Sequence, residues 1–284
     1  MTDETSEETA NDMLSDAMVD AYLERIGARR PEQADIHGLR HLQERHVLSV
    51  PFENIDYHVE GAELSLERDF LHDKIVRRRR GGGCYELNPS FGHLLQALGY
   101  SVEILAGQVF LGGEFGAPLC HLALRVHADG KDWLVDVGFG KGSRFPLEIG
   151  PQGVQKDPHG EFEVVVPEEG GLQVVLDGGI QYRLDERPVR IEDFYPTLWW
   201  YRTAPDSVFL HNLIASMQKE SGRATVNGRE LTLTDANGTR TVELADDAAL
   251  RAAYEEHFGI VLEAGVMPKQ PDVDPAVRII MQID

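Results

Sequence analysis

Apolar positions recur with two different periods along the chain, and the change from one to the other falls near residue 100. In MLSDAMVDAYLERIGA, Val19, Tyr22, Leu23 and Ile26 follow the i, i+3, i+4, i+7 spacing of a buried helical face, and Gly27 suits a C-cap. A second amphipathic segment opens at Asp35, an N-cap residue type, and runs through Leu39, Leu42 and His46 until Pro51 stops it. A third covers about Leu66 to Arg78. From Ser101 the pattern breaks into short β-branched runs set off by Gly, Pro and Asp: SVEILAGQVFL, HLALRVH, KDWLVDVGF, EFEVVV, LQVVL and IQYRL. These predict an antiparallel sheet or barrel. After about Phe209, Asn227-Gly228 and Asn237-Gly238 signal hairpins, and Leu250, Ala253, Tyr254 and His257 share one side of a helix from about Asp246 to His257. The order is helical, then β, then mixed, with no internal repeat.

Composition narrows the function classes. A chain of 284 residues with 42% hydrophobic content can bury a sizeable core. The opening MTDETSEETAND has five acids, no base and no apolar signal core, and no later stretch is long enough to span a bilayer. The expectation is a short disordered tail over residues 1–12 and a cytoplasmic enzyme. A formal charge of −21 argues against general nucleic-acid binding, which needs a surplus of Lys and Arg, so Arg77 to Arg80 reads as a solvated helix end. The acidic balance also suits a high-salt setting without deciding it. Two cysteines cannot build a disulfide framework here, so the question becomes whether one of them is a nucleophile.

The stretch CHLALRVHADGKDWLVDVGFG contains Asp129-Gly130, a pair preferred in two-residue type I′ turns. That turn sets Ala128 opposite Lys131, and places Leu122 with Val137, Leu124 with Val135 and Val126 with Trp133 on one apolar face. The other face then carries His121, Ala123, Arg125 and His127, with Asp136 a diagonal neighbour of His121 at about 7–8 Å between Cα atoms. A one-residue slip would separate the two, and the hairpin alone leaves open a solvated strand histidine. Cys120 points into the apolar face and reads as a core thiol.

Cys84 is placed differently. RRRRGGGCYELNPS runs four arginines into three glycines and delivers the thiol to a helix start in CYELNPSFGHLLQALG, where a thiolate is favoured. Pro89 leaves a second option, a helix that begins only at Pro89 with Cys84 on a loop. Cysteine, histidine and aspartate stand in the order nucleophile, base and orienting acid.

These residues carry a resemblance. RRGGGCYELN, PFENIDYH (Pro51 to His58), the His121 strand, WLVDVGFG (Trp133 to Gly140) and YRTAPDSVFLHNLIAS (Tyr201 to Ser216), together with the C-terminal hairpins and the helix ending EEHFGIVL, resemble the arylamine N-acetyltransferase family. The resemblance implies an α+β fold with a cysteine-protease-like Cys-His-Asp core: a helical bundle over 13–100, a central antiparallel β-barrel over 101–209 and an α/β lid over 210–284. It implies acetyl-CoA as donor, an aromatic amine, hydrazine or N-hydroxyarylamine as acceptor, no metal, and a monomer or homodimer. Carried over by motif, Cys84 is the nucleophile, His121 the base and Asp136 the orienting acid. Phe52, Phe139 and Phe209 line the acceptor pocket, and Tyr201 and Ser207 approach the cofactor. Cys120 departs from the small hydroxylated or apolar residues expected before the histidine. Rival readings that keep such a triad are a transglutaminase-like hydrolase, an amide-former using a carrier-bound acyl chain, and a binding module with a dead triad. No GxxxxGK[ST], HExxH or paired CxxC occurs to support nucleotide or zinc readings.

Overall fold

The computed structural model describes residues 13–150 and 153–271. The acidic tail expected over 1–12, and residues 272–284, lie outside them.

Two helices open the described residues. Asp16–Ile26 (α1) is capped by the Ser15 hydroxyl and ends on Gly27 in the left-handed region, φ 63°. Ile36–Val47 (α2) is capped by Asp35, whose Oδ1 accepts from Gly38 N–H at 2.8 Å. The third amphipathic segment is shorter than its pattern suggested: Arg68–His72 (α3) passes directly into a π-helical stretch, Asp73–Arg77. Cys84–Ala97 (α4) then runs unbroken through Pro89, so the option of a helix starting only at Pro89 is not the one adopted. Pro89 occupies the sixth helical position, where it removes one backbone donor, and it is fully enclosed by packing.

The β region forms a nearly closed antiparallel barrel. Its strands are Ser101–Leu111 (β2), His121–Ala128 (β4), Lys131–Val135 (β5), Leu147–Glu148 (β6), Gln155–Asp157 (β7), Gly160–Val165 (β8), Leu172–Leu176 (β9) and Gly179–Val189 (β10), in the order β6-β5-β4-β2-β10-β9-β8-β7, with Glu114–Phe115 (β3) paired to β2. The expected register holds: Leu124 faces Val135, Val126 faces Trp133, and Ala128 faces Lys131. Both turn residues have positive φ, 51° at Asp129 and 73° at Gly130, as a type I′ turn requires. One face of β4 packs on α4, with Leu124 and Val126 in the same cluster as Leu87, Phe91 and Leu94. Its other face is dry at its N-terminal end, where it looks into the barrel and Ala123 joins Leu105, Leu134, Phe162 and Leu184, while Arg125 is half-buried and His127 exposed at the far end. His121 is therefore 2% exposed, and the reading of a solvated strand histidine is excluded.

A second sheet joins an early strand to four late ones. Phe52–Glu53 (β1) pairs with Ile214–Lys219 (β11), followed by Gly222–Asn227 (β12), Glu230–Asp235 (β13) and Gly238–Glu243 (β14), and Asp247–Phe258 (α7) packs on it. Both predicted hairpins form, each shifted by one residue: the loops are Gly228-Arg229 and Ala236-Asn237. Between barrel and sheet lie Tyr195–Thr203 (α5) and the short turn of helix Val208–His211 (α6). No helix among the described residues is long and apolar enough to cross a membrane.

Candidate active site

Cys84 is the first residue of α4, so its own N–H and that of Tyr85 have no intrahelical acceptor and the positive end of the helix dipole faces the thiol. The approach to it is fixed from both sides. Glu86 Oε2 accepts from Gly83 N–H at 2.9 Å, and Gly82 O accepts from Glu53 N–H at 3.0 Å. A Cβ on Gly81 would lie 1.9 Å from Pro51 O, which explains a glycine there. Beneath the loop, Lys74 bonds Glu86 at 2.6 Å and Asp56 at 2.8 Å, and Arg80 bonds Glu53 at 2.8 Å and Asp56 at 2.9 Å. The arginine run is thus divided. Arg80 is an inward structural cation, while Arg77 and Arg78 pair with Asp73 at the surface.

His121 comes to Cys84 from the barrel. Asp136 Oδ2 accepts from His121 Nε2 at 2.7 Å, which leaves Nδ1 for the hydrogen bond with the Cys84 thiol. Burial by itself would push the imidazole pKa down. The adjacent Asp136 charge and hydrogen bond, then the hydrogen bond to Cys84, outweigh it and raise the value to about 10. The imidazolium is thereby the favoured form beside the sulfur. On the next strand, Gly107 faces His121, and a Cβ there would sit 3.2 Å from the His121 Cβ.

Two residues that sequence reasoning did not single out hold Asp136. Asn88, one turn along α4 from Cys84, donates through Nδ2 to Asp136 Oδ1 at 2.9 Å and to Leu122 O at 2.8 Å, while its Oδ1 accepts from Val137 N–H at 2.8 Å. One amide side chain so ties the nucleophile helix to the histidine strand and to the aspartate. Gly138 N–H also donates to Asp136 Oδ1, at 2.9 Å. Tyr182, from β10, hydrogen-bonds Asp136 and stacks 4.8 Å from the His121 ring; burial first, then the Asp136 charge, drive its pKa well above the usual phenol value. The i, i+4 placement of Asn88 was a usable sequence signal. Tyr182 gave none, since it arrives from 46 residues beyond Asp136 through barrel closure.

Cys84 and His121 open onto a cavity of about 660 Å³ whose walls include Phe52, Phe139, Phe209 and Tyr201. These four expected substrate and cofactor residues are brought together there. Phe209 packs at a tilt against Phe52, ring centroids 6.3 Å apart, and edge-on against Tyr201 at 4.8 Å. Ser207 does not line the cavity: it is fully buried, and its hydroxyl donates to Tyr201 O at 2.6 Å. Its place in the fold is to fix the turn that carries Tyr201 and Phe209. Cys120 lies in the wall with its pKa raised by burial, its Sγ accepting from Val109 N–H at 3.2 Å. Among the described residues, no group of three His, Cys, Asp or Glu side chains is placed to hold a metal ion.

Residues 35–267 match the N-acetyltransferase family. The arylamine N-acetyltransferase of Mycobacterium tuberculosis is 33% identical over 249 residues, covering 84% of this chain and 88% of that protein. The chain belongs to the arylamine N-acetyltransferase family. Arylamine N-acetyltransferase 2 of Mus musculus is 30% identical over 89% of this chain and 98% of its own length. Among solved structures, the arylamine N-acetyltransferase from Salmonella typhimurium superimposes with a TM-score of 0.80 at 27% identity, covering 89% of this chain and 94% of that one. The M. tuberculosis structure gives 0.77 at 32% identity over 85% and 93%. The α+β architecture and its barrel are those of this acyltransferase family.

Proposed function

We propose that the protein moves acetyl from acetyl-CoA to arylamines, arylhydrazines or N-hydroxyarylamines through an acetyl-Cys84 intermediate, in the cytoplasm. The observation that carries this reading is the meeting of Cys84 and His121 at one end of a large apolar cavity, with Asp136 bonded behind the imidazole at 2.7 Å. A family relative supports the donor: the Mycobacterium marinum arylamine N-acetyltransferase, solved in complex with CoA, superimposes with a TM-score of 0.77 at 31% identity over 85% of this chain and 92% of that one.

Each residue has a defined part. The Cys84 proton passes to His121 Nδ1, and Asp136 stabilises the imidazolium. The thiolate adds to the acetyl carbonyl, the N–H groups at the start of α4 stabilise the developing oxyanion, the carbonyl–sulfur bond of the donor breaks, and the departing CoA sulfur takes the proton from His121. In the second half, the unprotonated amine adds to acetyl-Cys84, the Cys84 carbonyl–sulfur bond breaks, and the amine proton goes to His121. Phe52, Phe139 and Phe209 form an aromatic wall for a flat acceptor, and Tyr201 stands on the donor side.

The test is to mix enzyme and acetyl-CoA without amine and look by intact mass for one acetyl group on Cys84. Adding an aromatic amine should discharge it, and steady-state kinetics should give parallel lines. Intersecting lines without acetyl-enzyme would mean direct transfer in a ternary complex and would overturn the covalent route.

A further inference from the structure

Leu119 stands in a backbone conformation that leucine resists. Its φ is 63°, in the left-handed region. Among the described residues Arg79, Asp129 and Asp177 are the other non-glycines with positive φ, and aspartate tolerates it far better than leucine. Cys120 N–H donates to Ala117 O at 3.2 Å, so residues 117–120 close a β-turn with Pro118 second and Leu119 third. A positive φ at the third position, after proline, is the pattern of a type II turn, which normally places glycine there. The strained residue lies two positions before His121, at the entry to β4. Strain of this kind persists only where the surroundings hold it.

Two tyrosines supply the hold. Tyr85 Oη donates to Leu119 O, and Tyr201 Oη donates to Cys120 O at 3.3 Å. Val109 N–H, from β2, donates to Cys120 Sγ at 3.2 Å. Consecutive carbonyls ahead of His121 are thus gripped by two phenols whose ring centroids are 6.1 Å apart. Tyr85 follows Cys84 on α4, so the nucleophile helix reaches the histidine strand at two points: through Asn88 to Leu122 O, and through Tyr85 to Leu119 O. Burial first, and then the neighbouring Cys84 charge, raise the Tyr85 pKa well above the usual phenol value, so its hydroxyl stays a donor.

We propose that Tyr85 is a positioning residue for His121: its hydroxyl holds Leu119 in the left-handed conformation, and the turn so fixed sets where the imidazole meets the Cys84 thiol. Its part in turnover rests on the acetyl-transfer reading. Without that bond Leu119 relaxes toward negative φ and carries the start of β4 with it. His121 then meets the thiol less squarely, in both half-reactions.

Tyr85→Phe removes only the oxygen. It should lower kcat roughly tenfold with KM for acetyl-CoA and for the arylamine unchanged, because the loss falls on proton transfer and not on binding. The second readout is alkylation of Cys84 by iodoacetamide against pH, followed at that residue by peptide mass. Its acid limb should move to higher pH, since a displaced imidazolium favours the thiolate less. The titratable groups around the pair are Asp136, Tyr57, Tyr182, Tyr201 and Cys120; the last four have pKa values raised by burial before any other cause, and all five are kept in the variant. Adding Leu119→Gly to Tyr85→Phe should return kcat and the limb most of the way, because glycine takes a φ of 63° without strain and no longer needs the tether. A Tyr85→Phe enzyme within about twofold of the parent in kcat, or with its alkylation limb unmoved, would overturn the proposal. So would a loss that Leu119→Gly does not recover, which would make Tyr85 a support of the fold alone. Alkylation needs no substrate, so a parent enzyme that forms no acetyl-Cys84 would strike at the acetyl-transfer reading and leave the hold of Tyr85 on His121 still measurable.

Discussion

At the residue scale, the site depends on a carboxylate that is held more tightly than the imidazole it serves. Asp136 accepts from His121, Asn88, Gly138 and Tyr182, so its orientation is set before any substrate arrives. Replacing it with Asn keeps the shape and removes the charge that overrides the burial of His121. Asp136→Asn is expected to fold but to lose activity on the order of 10⁴-fold in kcat, the loss that the same change causes in a Ser-His-Asp triad. The loss should appear in acetylation of the enzyme itself, followed by intact mass. A folded variant within tenfold of the parent would remove Asp136 from the orienting role.

At the element scale, the contact that decides the geometry is between the start of α4 and the turn after β5. Backbone meets backbone there, which only glycine at 138 permits: an added Cβ would meet Cys84 Cα at 2.6 Å and Asn88 Nδ2 at 2.9 Å. Gly138→Ala must push α4 and the barrel apart by a sizeable fraction of an ångström. We expect at least a hundredfold loss of kcat/KM, because small misplacements of reacting groups cost about that much, with the far-ultraviolet spectrum retained. Normal activity in this variant would show that the thiol and imidazole tolerate a looser junction. The PFENID segment acts at the same scale. Asn54 donates to Phe209 O and Asn212 O and accepts from Ile214 N–H, so a strand of two residues fastens the five-stranded sheet beside the nucleophile loop.

At the scale of the whole molecule, two buried histidines pull stability in opposite directions with pH. His46 lies between Tyr22 and Phe91, fully buried, and burial followed by the Arg25 charge lowers its pKa to about 3. Its folded value is below the unfolded one of about 6.5. The unfolded chain therefore takes up the proton first, and the stability from neutral His46 is full above pH 6.5 and lost as pH falls toward 3. His121 is the reverse. Its pKa is raised to about 10, so its contribution is full below pH 6.5 and lost as pH rises toward 10. Urea titrations should show the contribution of these two groups greatest near pH 6.5, with each arm sloping by up to about 1.4 kcal/mol per pH unit. His46→Gln should flatten the acid arm and leave the alkaline one. An acid arm of unchanged slope would mean that His46 is not a buried neutral group.

Much of this was legible in the chain because it is local. Helix faces and the caps at Gly27 and Asp35, the strand runs and the Asp129-Gly130 register all follow from neighbouring residues, and the register alone put His121 and Asp136 on one face. The two later hairpins were found but each misplaced by one residue, since Gly takes the first loop position in one and Asn the second in the other. Whether α4 survives Pro89 depended on packing that surrounds the proline on every side, and tertiary burial outweighed the lost hydrogen bond. The face of β4 that carries His121 looked solvent-exposed by alternation, yet barrel closure made its His121 and Ala123 end interior and left His127 exposed. The sequence by itself determined which side chains could do the chemistry and on which elements they stand. Only the tertiary structure decided that Tyr182 and Asn88 hold Asp136, that Ser207 turns away from the cavity while Lys141 lines it, and that β1 crosses to the far sheet. Those are contacts between residues distant along the chain, and they exist only once the barrel closes and α4 is pressed against it.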